Sequence, residues 1–174
     1  MNNQTKPLIQ CALLAGAIAI CSQIQIPLPM VPINLALLAV HVAGIVLKPK
    51  YAILTVLVYI ALGFIGLPVF SNFSGGAQVL FGPTGGYILG YLLDAILISY
   101  GMQKLKFSLQ TVLILCIIGT LGCYIFGTIW FMIITQTALP LALVYCVIPF
   151  IPGDMIKAIL ATLLAKRYLL SKRI

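Results

Sequence analysis

In this chain of 174 residues, 63% are hydrophobic and only 7% are charged, whereas a soluble domain carries about a quarter charged residues. The net charge of +8 comes without the basic groove and interleaved aromatics that a nucleic-acid partner requires, and a total of two acidic residues disfavours a paired acid and base catalyst. These numbers point to an integral membrane protein with a lipid bilayer as its solvent, organised as one transmembrane domain over residues 1–174.

Barrel strands alternate polar and apolar residues, but residues 51–67 and 109–131 are apolar on every side, so the spans are expected to be helices. Six are predicted in chain order: residues 8–26, 31–47, 51–67, 85–99, 109–131 and 153–170. Lys6 followed by an apolar run with Ala15, Ala17 and Ala19 fits a signal-peptide template, yet removing that segment would spoil the charge distribution described next, so it is read as the first span. Residues 139–150 are apolar but short and are bounded by Pro140, Pro149 and Pro152, which suggests a re-entrant or surface-lying helix.

The basic residues alternate with the predicted spans. Lys6 precedes the first, Lys48 and Lys50 join the second and third, Lys104 and Lys106 join the fourth and fifth, and Lys166, Arg167, Lys172 and Arg173 close the chain at the end of the sixth. Connections 25–32, 68–84 and 135–152 contain no charge at all. By the positive-inside rule both termini are cytoplasmic and the uncharged connections face outward.

Asn3-Gln4-Thr5 and Asn72-Phe73-Ser74 match a glycosylation triplet that also arises by chance. The cysteines, Cys11, Cys21, Cys116, Cys123 and Cys146, show no CxxC spacing and read as small hydrophobes. His41 has no carboxylate or thiol near it in sequence, so a hydrogen bond inside the bundle is expected and a metal site is not. Nucleophile motifs are absent, and no catalytic residue is proposed.

Two outward elements carry chemistry. The run from Phe70 to Tyr87 packs glycines among Phe70, Phe73, Phe81 and Tyr87. It lacks the GK[ST] ending of a phosphate loop, and either lets backbone approach a ligand between aromatic walls or is simply a tight connection. Gly86 and Gly90 have GxxxG spacing, which suits helix packing. The run from Pro149 to Lys157 places Asp154 and Lys157 three apart, on one helical face. Asp154 capping the helix and a plain ion pair are the structural readings. Neither accounts for a cation at the outer, dipole-positive end of a helix, which a ligand does. Asp94, inside the fourth span, reads as a structural or coupling group.

Pro27-Leu-Pro-Met-Val-Pro-Ile-Asn34, Gly75-Gly-Ala-Gln-Val-Leu-Phe-Gly-Pro-Thr-Gly-Gly-Tyr87 with Gly90-Tyr91, and Pro149-Phe-Ile-Pro-Gly-Asp-Met-Ile-Lys157 resemble the signatures of the BioY family, the biotin-specific substrate-capture (S) components of energy-coupling-factor importers. The resemblance covers essentially the whole chain. It implies a six-helix protein of a prokaryotic plasma membrane that takes biotin from outside and works with a transmembrane coupling subunit and two ABC-type ATPases. It implies no cofactor, biotin being the cargo.

Biotin's ureido ring offers two N–H donors and a carbonyl acceptor, which suits an acceptor at Asp154 and a donor at Lys157. Gln78 and Asn34 are expected to complete the hydrogen bonding, with Phe81, Tyr87, Gly75 and Gly76 around the bicycle. Lys157 paired with the valerate carboxylate is the alternative ligand direction. On the first helix, Ala15 and Ala19 extended by Ala12 and Gly16 form a small-residue face. The resemblance implies that this face docks on the coupling subunit, although packing within the bundle would use the same residues. A self-sufficient secondary carrier or channel is the competing function, disfavoured because no chain of intramembrane ionisable groups is present.

Overall fold

The computed structural model describes residues 5–26, 28 and 31–171. Pro27, Pro29 and Met30 of the first motif, Lys172 and Arg173 of the charge pattern, and Asn3 and Gln4 of the first glycosylation triplet lie outside the described residues. The chain runs through α1 (Thr5–Gln23), β1 (Gln25–Ile26), β2 (Ile33–Asn34), α2 (Ala36–Val46), α3 (Pro49–Phe64), a 3-10 turn (Ser71–Phe73), α4 (Ala77–Leu80), α5 (Gly85–Lys104), α6 (Leu109–Thr135), α7 (Leu139–Cys146) and α8 (Ile151–Ser171). Each predicted helical segment overlaps one of the six longer helices, with shifted ends.

The largest shift is at the second. Residues 31–35, expected to be helical, instead return along β1, with Gln25 opposite Asn34 and Ile26 opposite Ile33. The Leu35 N–H donates to the Cys21 carbonyl at 3.1 Å, so the backbone groups here are satisfied by the end of α1 rather than by a helical turn. α2 therefore has 11 residues, about 16 Å of helix. By length and composition α1, α5 and α6 suffice to cross a membrane, and α7 with α8, bent by 51° at their break, makes a fourth candidate; α2 and α3 are shorter apolar helices.

Local signals account for the other boundaries. Pro49 occupies the first turn of α3 after an extended Lys48, where its missing N–H costs nothing. The Ser108 side chain accepts the Thr111 N–H at 3.0 Å to start α6, and Gln136, left-handed at φ 54°, ends it. α8 begins at Ile151 rather than at Gly153, with Pro152 tolerated in its first turn.

α5 and α6 pack antiparallel at close range because glycines line the contact. A Cβ at Gly86 would enter the Trp130 side chain, one at Gly90 would meet Cys123, and one at Gly127 would enter the Tyr87 ring. The expectation that Gly86 and Gly90 serve helix packing is met. The inward stripe of α6 includes Gly119, Thr120, Cys123, Tyr124 and Thr128, while Ile118, Leu121, Ile125 and Ile129 point outward. Small and polar groups inside with large apolar groups outside is the pattern of a helix solvated by lipid. The five cysteines are free, and all but Cys21 are buried.

Consecutive long helices alternate in direction, so Lys6, Lys48, Lys50, Lys104, Lys106, Lys166 and Arg167 collect at one end of the bundle, all exposed. The strand pair, the loop 65–84 and the link between α7 and α8 collect at the other.

Candidate ligand-binding site

At the uncharged end a cavity of about 150 Å³ opens among α2, α3, α5, α6, α8 and the loops. Its polar floor is the predicted pair. Asp154 and Lys157 are only 5% and 4% exposed, and Lys157 Nζ donates to Asp154 Oδ1 at 2.6 Å. The Tyr124 hydroxyl, from α6, donates to the other oxygen, Oδ2, at 2.5 Å. Both carboxylate oxygens thus bind side chains and neither binds a helix amide, which sets aside the capping reading. The Asp154 backbone N–H is already an interior helical donor, to the Phe150 carbonyl at 2.8 Å.

The walls are aromatic. Tyr59, Phe70, Tyr87, Tyr91, Tyr124 and Phe150 all line the cavity. Phe70 is held there because it folds back under α3, edge-on to Tyr59 with ring centroids 5.5 Å apart, over Gly63, where any Cβ would strike its ring. Tyr87 is fixed by a hydrogen bond of 3.0 Å with Thr128 Oγ1.

Asn34 lines the cavity, and its amide is heavily engaged. Oδ1 accepts the Ala36 N–H at 3.0 Å and the Tyr91 hydroxyl at 3.4 Å, and Nδ2 donates to Ser71 Oγ at 2.7 Å. This joins β2 to the turn Ser71–Phe73. The same turn is held from α1 and β1: Gln23 Oε1 accepts the Phe73 N–H at 2.9 Å, and Gln25 donates to Asn72. Asn72 and Phe73 are both left-handed, at φ 60° and 51°, a conformation costing such residues of order 1 kcal/mol or more each. Strand pair and turn together roof one side of the cavity.

Four expected ligand residues stand apart from it. Gln78 is exposed and donates to the Gly75 carbonyl at 2.9 Å. Phe81 is 65% exposed. Gly75 and Gly76 do not line the cavity; the backbone that Gly75 approaches is that of Gly66 and Leu67, and Gly76 supplies a φ of 94° while donating to the Gly63 carbonyl at 2.7 Å. These glycines fold the loop onto the end of α3. Conversely Tyr59, Tyr91, Tyr124, Phe150, Ser71 and Asn72 line the site without having been singled out for it. The signal available was Tyr59, Tyr91 and Tyr124 inside apolar helices, since a buried phenol needs a polar partner.

One turn further into the bundle lies a second polar layer. His41 and Asp94 are fully buried, with Nε2 3.3 Å from Oδ1, and Nε2 is 3.2 Å from Thr120 Oγ1. Thr120 gives its own proton to the Cys116 carbonyl at 2.9 Å, so it accepts from His41 and Nε2 carries hydrogen. His41 thus makes the intrabundle contact expected of it. On α1, Ala15 is 1% exposed and Ala19 packs against the core, whereas Ala12 and Gly16 are exposed and a Cβ at Gly16 would meet nothing. The small-residue face is therefore split: Ala15 and Ala19 look into the bundle, Ala12 and Gly16 away from it.

A family model described as the BioY family matches residues 1–173. A Lactococcus lactis subsp. cremoris protein named biotin transporter BioY2 is 40% identical, covering 93% of this chain and 89% of its own. Biotin transporter BioY of Thermotoga maritima is 37% identical, covering 93% and 95%. Among solved structures, a crystal structure of the S-component for biotin from an ECF-type ABC transporter superposes with a TM-score of 0.89 at 34% identity, over 97% of this chain and 93% of that one. A bacterial ECF transporter S component at 21% identity shares the fold, with a TM-score of 0.58 over 98% and 96%.

Proposed function

The chain belongs to the BioY family, and from that premise we propose that it is the biotin-binding S component of an energy-coupling-factor importer, a transport subunit and not an enzyme. In this reading α1, α2, α3, α5, α6 and α8 traverse a prokaryotic plasma membrane, with both termini and the basic end in the cytoplasm and the cavity open to the outside. The observation that carries it is the buried Asp154–Lys157 pair at the floor of an aromatic cavity.

Biotin enters ureido ring first. Asp154 accepts from the ring N–H groups through its remaining lone pairs, and Lys157, with one N–H given to Asp154, has two left for the ureido carbonyl. Tyr59, Tyr87, Tyr91 and Phe150 enclose the bicycle, and the valerate chain points toward the mouth near Asn34. Ion pairs of this kind inside a membrane protein are costly and mark ligand sites. Gln78, Phe81, Gly75 and Gly76, remote from the cavity here, act by shaping the roof.

Import needs energy that this chain does not generate, which implies a transmembrane coupling subunit and two ABC-type ATPases. The exposed Ala12 and Gly16 offer the close-approach surface on α1, while Ala15 and Ala19 support it from the inside. The deciding experiment is calorimetric titration of biotin into the purified chain, with riboflavin and thiamine as controls. Saturable binding of biotin alone is the expected result. Unassisted biotin flux in proteoliposomes containing only this chain would favour a self-sufficient carrier.

A further inference from the structure

Asp154 has a second exposure. Behind the ligand cavity, between α6 and α8, lies another cavity of about 190 Å³, and Asp154 and Tyr124 line both. The rest of its lining is nearly all apolar and includes Leu121, Val147, Ile151 and Met155, of which Leu121, Ile151 and Met155 are exposed on the outer surface of the bundle. On this side the carboxylate faces hydrocarbon, where an unsatisfied anionic oxygen is heavily penalised. The Tyr124 hydroxyl, at the wall between the two cavities, donates to Oδ2.

The geometry also concerns direction. The final torsion of an aspartate is broad, so Lys157 alone, three residues along the same helix, would hold one oxygen and leave the carboxylate plane free to turn. Tyr124 grips the other oxygen from a different helix, through a rigid ring packed in the bundle. Two donors on two oxygens from two helices define the plane.

We propose that Tyr124 is the positioning residue of the binding carboxylate: it aligns the free lone pairs of Asp154 with the paired N–H groups of the ligand and so sets the preference for a cyclic urea. This rests on the biotin reading above. Tyr124 acts through Asp154 and not by direct recognition.

The test is a double-mutant cycle read by biotin calorimetry. Tyr124→Phe should weaken binding about tenfold or more, equivalent to about 1.4 kcal/mol, and should lower the thermal midpoint while leaving the chain folded, since a buried carboxylate oxygen loses its donor. In an Asp154→Asn background the same change should cost less than about twofold, because the group it positions is gone. Equal penalties in both backgrounds would overturn the proposal, as would no penalty in either. A second readout needs no ligand. The chain has two acidic residues, Asp94 and Asp154, so carbon-13 aspartate labelling gives an infrared spectrum with two carboxyl groups, assigned by Asp154→Asn. Tyr124→Phe should shift the Asp154 carboxylate stretch, and an unmoved band would overturn the grip itself. If the wild-type protein binds no biotin, the ligand reading fails and the infrared comparison still decides whether Tyr124 holds Asp154.

Discussion

At the scale of single residues, the site sets the cost of burying charge against the gain from ligand contacts. Taking an ammonium and a carboxylate out of water is repaid only when the geometry is good and further hydrogen bonds fill the remaining positions. Asp154 and Lys157 have each other and Tyr124, and the rest is left for the ligand. Truncating one member of such a contact costs roughly 2–5 kcal/mol, about thirtyfold or more in affinity. Asp154→Asn and Lys157→Ala are each expected to weaken biotin binding by that factor in detergent. Calorimetry on folded variants checks this, and unchanged affinity in both would remove the pair from the site.

The His41–Asp94 layer makes a different prediction because neither residue lines the cavity, so the pair works on stability. His41→Leu strands the Asp94 carboxylate among apolar neighbours, at a cost of about 3–5 kcal/mol, whereas an all-apolar pair is often neutral. Thermal unfolding should therefore show His41→Leu well below wild type, and His41→Leu with Asp94→Leu above the single variant. A double variant no more stable than the single would mean that the pair is not acting as a unit.

At the scale of elements, α1 has two faces with different tasks. Ala15 is 1% exposed, so a tryptophan there overpacks the core, and Ala15→Trp is expected to impair folding and biotin binding together. Gly16 has open space beyond it. Ala12→Trp with Gly16→Trp should leave binding by the isolated chain nearly intact while abolishing co-purification with the coupling subunit and uptake. Normal assembly and transport in that variant would move the docking face elsewhere. The loop 65–84 shows the same division. Its glycines were legible in the sequence as sites of close approach, but whether they approached a ligand or the chain itself depended on how the loop folded back on Gly63.

At the scale of the whole molecule, the strand pair and the turn Ser71–Phe73 are joined to each other by side-chain hydrogen bonds and carry two left-handed residues. Segments 25–34 and 65–84 are expected to close over bound biotin as one unit and exclude water. Hydrogen exchange with and without biotin should show slower exchange in both segments together. Identical protection in the two states would argue for an open cleft.

Composition and hydropathy determined the membrane environment and the helical class, because a backbone in hydrocarbon must satisfy itself. Spacing alone brought Asp154 and Lys157 to one helical face, since three residues nearly complete a turn. The separation of uncharged from basic connections was legible too, and it marked the end of the bundle that carries the cavity. What only the tertiary structure decided were the contacts between segments distant in sequence. Tyr124 is 30 residues from the Asp154 it holds and His41 is 79 from Thr120; no local pattern encodes such pairs. The same is true of which alanines on α1 look inward and of the strand pair that shortens α2. Each was settled by which neighbour offered the better packing or the missing hydrogen bond, a comparison that exists only once the helices are assembled.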